Sequence, residues 1–375
     1  MPFAPRMMKT LELTVRVAAF APLAGLLHAA DPILATPGTA TWATEATTTG
    51  SRTVFTMTNN TVLNWNQLNL ARGSEMVFNF EGGQRVVNFL GGTGIHVIDG
   101  MVTSNGVVAF FSPGADLEVN GSIIARGVTL ATLDTSATEF SAGGGYQMSG
   151  LEGFNFLVVD GRVEATAGDV VLGGERVIIG DQARIQASQD VLVGGGRDLT
   201  VTSSGNHKIR ENSGLGYVLH LGETKAARIE ITAGSEINNQ GRVDAGNGRV
   251  FMQVGGEGLI TNESTGVIVG NAVFTGAYDA QGSVLFPDEG DAVPLVSEGT
   301  LTLPRLTRPD SSRMTRESQT VSYSSPMSAS GDAGRDSAQS GKAKKTLVHR
   351  GETKSLLQRS SFFGMRGGNS APTKR

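Results

Sequence analysis

A loose internal repeat limits what this chain can fold into more than any single motif does. From Gly161 the sequence reads GRVEATAGDVVLGG, answered by ARIQASQDVLVGG from Ala183 and by GRVDAGNGRVFMQVGG from Gly241. Apolar residues return after 22 positions between Val163 and Ile185, and after 23 between Ile237 and Ile260. A unit of that length, with two short strands and a Gly-based turn, has too little apolar surface to fold alone and must stack on its copies. The composition agrees, with 51 Gly against 12 Pro and aromatics at only 6%. The expected fold is all-β, a parallel β-helix. Coils one strand spacing apart, about 4.8 Å, would make ten to twelve of them a rod of roughly 50 to 60 Å. Aliphatic side chains fill a narrow prism that leaves little room for rings. Gly is expected at corners where φ turns positive. Asn238, Asn239 and Asn262 fall at coil turns, as plain turn formers or as stacked amide ladders.

The two ends differ from the middle. Arg6, Lys9 and Arg16 precede the apolar run Val17–Leu27, and Leu27-His28-Ala29 follows as a small-residue cleavage site, so residues 1–29 read as a signal peptide. Eleven apolar residues are too few for a transmembrane anchor, and none is expected. Cysteine is absent, which removes disulfides and thiolate metal sites. Residues 30–52 form a lead-in and 53–304 the β-helix domain. An open end of a β-helix exposes unpaired backbone, so the stretch Thr53 to Phe80, with Trp65, Leu68 and Phe78, is expected to fold over the first coils. Asp31 to Pro304 carries 14 Lys and Arg against 29 Asp and Glu, a net of −15. Residues 305–375 carry 14 against 5, a net of +9, on a Ser/Gly-rich background. This basic tail reads as disordered, either a solvated linker or a segment for anionic surfaces.

Chemistry-bearing residues are scattered. Asp169, Asp181, Asp190 and Asp198 lie near coil turns with Arg162, Arg176, Arg184 and Arg197 interleaved. That pattern fits a solvated face of alternating sign, or a cleft of the kind that lyases and hydrolases need. His96, His207 and His220 are far apart in sequence, and no Gly-rich segment ends as a phosphate loop does. No cofactor and no metal is expected, and nucleic acid is not expected as a partner. The stretch from Leu130 to Gly150 reads as a coil and its exit: Leu133 points inward, Asp134 bonds at the corner, and Gly143 to Gly145 let the chain step to another layer.

Asn64 to Phe80 (NWNQLNLARGSEMVFNF), Asn105 to Gly150 and the Gly-x-Val/Ile-x-Ala coils after them resemble the amino-terminal domain of filamentous haemagglutinin-type exoproteins of two-partner secretion. Gly127, Thr132, Leu133, Asp134, Phe140, Ala142, Gly143, Ser149 and Gly150 match the family's opening stretch in order, and the resemblance runs from about Thr53 to about Gly276. It implies a right-handed β-helix with an amino-terminal cap, secreted or displayed at the surface through the periplasm and an outer-membrane transporter. It also implies an adhesin-like role, with a glycan or other cell-surface ligand. The residues it marks for secretion are Trp65, Leu68, Asn69, Asn105, Gly106, Ser112, Pro113, Gly114, Leu133 and Asp134. Two features depart from the family. Ser112-Pro113-Gly114-Ala115 stands where an Asn-Pro-Asn-Gly turn is usual, and the sequence holds one such domain and a tail. The expected activity is binding without catalysis, with a carbohydrate-active β-helix enzyme, a polysaccharide lyase or hydrolase, as the alternative.

Overall fold

The computed structural model describes residues 31–150, 155–285, 299–303 and 319–323. The chain divides into two units, Met1–Ser325 and Pro326–Arg375, and every described residue lies in the first. The stretch expected to be a signal peptide and nearly all of the basic tail fall outside the described residues. Within the tail span, Gln319–Tyr323 is a strand antiparallel to Gly299–Leu303.

The first unit is a parallel β-solenoid of about ten turns. Each coil contributes a strand to three faces in succession, as Met101–Ser104, Val107–Phe111 and Leu117–Val119 do in one coil. Alternation within each strand decides what fills the prism. On the first face Met76, Val102, Ile123, Val163, Ile185, Thr224, Val243, Ile268 and Val284 stack in register, and all are buried. On the second face Val86, Val108, Val128, Val170, Val191, Ile229 and Val250 do the same. The sequence repeat is this stacking, since Val163 pairs with Ile185 and Ile237 with Ile260.

Glycine holds the expected positive φ at turns such as Gly73, Gly92 and Gly256, but it has a second task that was not expected. At the corner from the third face to the first, Gly100, Gly121, Gly161, Gly222 and Gly241 lie over one another without positive φ. A Cβ on Gly161 would overlap the Gly121 carbonyl oxygen, and one on Gly121 would overlap that of Gly100. The corner carbonyls also accept ladder bonds from the next coil, such as Arg162 N to Gly121 O at 2.9 Å and Ser122 N to Gly100 O at 3.0 Å. Close backbone approach, more than dihedral freedom, fixes Gly here. Where the corner is longer, Gly180 to Arg184, Ala183 takes the stacked position.

The third face carries a polar column. His220, Asn239 and Asn262 are cross-strand partners and fully buried. Asn239 Nδ2 donates to Asn262 Oδ1 at 2.6 Å, and His220 Nε2 meets Thr224 Oγ1 at 2.8 Å. Asn239 and Asn262 therefore form the internal ladder, whereas Asn238 is half-buried and accepts from Gln240 Nε2 at 3.3 Å. Burial lowers the His220 pKa to about 4, against the bonding to Asn239 that favours the proton. The unfolded chain binds a proton near pH 6.5 and the folded chain does not until about pH 4. Stability is thus complete above pH 6.5 and lost as pH falls towards 4, by on the order of 3 kcal/mol. Melting curves at pH 7.5 and 4.5 should converge in His220→Asn relative to wild type; an unchanged difference would assign the acid sensitivity elsewhere.

The amino-terminal end is closed by residues before the expected cap. Ala40–Ala46 runs antiparallel to Ser51–Met57, and Ile33–Leu34 runs antiparallel to Thr61–Trp65. Thr53 to Phe80 is the first coil itself, because Ser51–Met57 pairs in parallel with Glu75–Phe80. Rings gather here, with Trp42 5.7 Å and Phe78 5.0 Å from Phe55 between centroids.

The chain leaves the prism twice from the second face, after Gly127–Ala131 and after Asp190–Gly195. The excursions build a four-stranded antiparallel sheet in the order Asp134–Thr135, Tyr146–Ser149, Asp198–Val201, Ile209–Glu211. Leu130 to Gly150 is therefore a coil strand followed by an outer element. Leu133 is buried, but in a second core formed between this sheet and the outer side of the second face, with Phe111, Phe140, Tyr146, Met148, Leu199 and Ile209 among its members. Ser136 caps the helix Ala137–Ala142, and Gly143 ends it at φ 74°, where only Gly sits without strain. Gly173 and Gly194 are outward strand positions whose bareness admits Met148 and Leu199. Glu230, fully buried, anchors the second excursion by accepting from Lys208 N at 2.6 Å and Ile209 N at 3.1 Å and pairing with Arg228.

Candidate functional site

The residues marked for secretion lie on the first and third coils and on the outer sheet, and they do not converge on one pocket. Trp65 is buried, edge-on to Phe55 at 6.1 Å, and its Nε1 donates to Asn88 Oδ1 at 3.0 Å. Asn88 passes the bond on through Nδ2 to Ala109 O at 2.9 Å. Leu68 is fully buried, and its N–H donates to His96 Nδ1 at 3.1 Å. Asn69 is exposed at a hollow of about 540 Å³ that Trp42 and Phe55 also line.

Asn105 acts as a piece of strand. Its amide accepts from Phe80 N and donates to Phe80 O, both at 2.8 Å. Gly106 is buried against the Phe80 ring, which a Cβ would overlap. Ser112 is buried and donates from Oγ to Ala115 O at 2.8 Å, closing the turn that bears the half-buried Pro113 and the exposed Gly114. Asn155 holds that turn from the following coil, with Nδ2 3.2 Å from Pro113 O. Asp134 is exposed and accepts from Thr135 N at 2.9 Å. Asn69, Asn105, Gly114 and Asp134 are thus the members of the set that a partner reaches directly.

Of the interleaved acids, only Asp169 and Asp190 come together. They stack on neighbouring coils at the edge of the second face, with Asp190 N donating to Asp169 Oδ1 at 3.1 Å. Lys208, from the second excursion, lies 2.6 Å from Asp190 and 3.4 Å from Asp169. Burial works against its charge, but the bond to Asp190 and the two carboxylates outweigh it and raise its pKa. Asp181 and Asp198 are exposed elsewhere. Arg197 pairs with Glu175 at 3.3 Å, Arg184 with Glu223 at 3.3 Å, and Arg162 with Glu164. Arg176 stacks over Phe156 at 4.8 Å. Among the described residues, no three His, Asp or Glu are grouped to hold a metal ion.

Beside this cluster runs a groove of about 360 Å³ between the coil edge and the outer sheet. Arg85, Arg126, Thr129, Tyr146, Asp169 and Lys208 are among its lining residues. Arg85, Tyr146 and Lys208 had no sequence signal as single residues. The signal that existed was the phase of the two excursions: both interrupt the repeat after the same strand of the coil, so both must meet on one face.

No family model matches the sequence, and no curated protein does. Solved structures do match. One is the HMW1 secretion domain from Haemophilus influenzae, 16% identical, with a TM-score of 0.49 over 72% of this chain and 81% of that one.

Proposed function

We propose that this chain is an exported, filamentous haemagglutinin-like surface or secreted protein, routed by an outer-membrane two-partner secretion transporter and acting by binding. The observation that carries the reading is how the family-like stretch is built. Leu133 and Phe140 bury in the outer core, Gly143 ends the helix with a positive φ, and Asp134 pairs in register with Ser149. Each of these residues has a defined structural task, which supports a resemblance in fold as well as in letters. The exposed positions Asn69, Asn105, Gly114 and Asp134 are the proposed contacts for the transporter. Asp169 and Asp190, the pair that a hydrolase or lyase would use, share Lys208 between them, which favours an ion-pair role over proton transfer to a sugar.

The reading predicts retention without turnover. Incubated with a panel of acidic and neutral polysaccharides, the protein should hold at least one while releasing no shortened product. Product release that disappears in Asp169→Asn or Asp190→Asn would establish the enzyme instead.

A further inference from the structure

We infer that the groove between the coil edge and the outer sheet is a binding site for an acidic oligosaccharide, with Arg85 and Tyr146 receiving a carboxylate. This gives the binding reading a ligand class and a place, and rests on it for the premise that the chain binds a glycan.

Three observations support the assignment. The first is an unspent cation: Arg85 is half-buried and stacked on the Phe140 ring at 5.6 Å, and no carboxylate pairs with it among the described residues. Burial without a counter-ion lowers its pKa, the mark of a charge awaiting a partner. The second is an under-used phenol. The Tyr146 hydroxyl is buried, with the Thr129 side chain as its one neighbour for a hydrogen bond among the described residues, and lies within electrostatic reach of Arg85. A buried hydroxyl that is poorly bonded costs free energy that a ligand oxygen would recover. A planar carboxylate suits the guanidinium fork and leaves a lone pair for the phenol.

The third observation is the shape and polarity of the groove. Its wall follows the coil edge from Arg85 through Val107, Gly127 and Asp169 to Gln189, four coil spacings, or roughly 19 Å at about 4.8 Å each. That length suits a chain of sugars better than a single small anion. Ser203 and Gln189 offer hydrogen-bonding groups for hydroxyls along it, and Thr202 Oγ1, which donates to Ser204 O, can still accept. Lys208 is already neutralised by Asp169 and Asp190, which leaves Arg85 and Arg126 as the cations of the groove, so single charges spaced along a sugar chain fit better than one phosphate dianion.

Calorimetric titration of the full chain with trigalacturonate, maltotriose and sodium acetate tests this. Trigalacturonate should bind, maltotriose should not, and acetate should bind far more weakly, because it lacks the hydroxyls. Arg85→Gln should weaken trigalacturonate at least tenfold. Tyr146→Phe removes only a hydroxyl whose one protein neighbour is the Thr129 side chain, so it should weaken binding several-fold while leaving the melting temperature nearly unchanged. Absence of trigalacturonate binding to wild type, equal binding of maltotriose, or undiminished binding in Tyr146→Phe would overturn the assignment. Retention on the polysaccharide panel is scored separately, so a failed groove assignment, with polysaccharide still held elsewhere, and a failed binding reading are distinguishable.

Discussion

Gly161→Ala is expected to lower the melting temperature sharply for a change of a single methyl group. The new Cβ would overlap the Gly121 carbonyl oxygen, with the Asn120 carbonyl beside it. Neither is the far end of a flexible side chain. The corner can relieve the overlap only by opening, and the Gly121 carbonyl is also the acceptor for Arg162 N at 2.9 Å. Overpacking of a rigid site with partial loss of a ladder bond should cost about 3 kcal/mol or more. For a domain of this size that is a fall of roughly 10 °C. Gly144→Ala supplies the comparison, since a Cβ there meets nothing within 4 Å. Thermal unfolding of both variants decides the matter. Equal melting temperatures would mean that the corner column is not held by close approach.

Trp65→Ala should be comparably severe for a different reason. It removes a large side chain that closes the first coil under Phe55, and it leaves Asn88 Oδ1 without its indole donor inside the prism. Loss of the packing costs on the order of 3–5 kcal/mol, and the unbonded amide oxygen adds to it. Trp65→Phe restores much of the ring but not the donor, so it separates the two contributions. The expected order of stability by denaturant unfolding is wild type, then Phe, then Ala. An Ala variant within about 1 kcal/mol of wild type would place Trp65 outside the stabilising core.

The coils were legible in the sequence because their inward side chains stack at a nearly constant interval. Val163 over Ile185 and Ile237 over Ile260 are what the eye finds as a repeat. Other features were hidden by chemistry that letters do not separate. The Gly pairs ending VVLGG and VLVGG resemble turns, yet Gly173 and Gly194 are strand positions left bare so that the outer sheet can dock. Leu133 read as an inward residue because a strand's alternation does not say which of two cores lies on each side. The cap was sought in Thr53 to Phe80 for its large apolar residues, whereas Ala40–Ala46 closes the end through backbone pairing, which composition does not report. The groove was the least legible. Arg85 and Tyr146 lie far apart in sequence, and nothing local marks either one; the first excursion carries Tyr146 back across the second face to reach Arg85.

The most direct test of the account is where the chain goes. In cells lacking their two-partner outer-membrane transporters, full-length protein should accumulate in the periplasm and vanish from the surface and medium. Restoring the transporter should reverse this for wild type. Surface and medium levels unchanged by deletion of every such transporter would contradict the proposed route and leave a β-solenoid that works elsewhere.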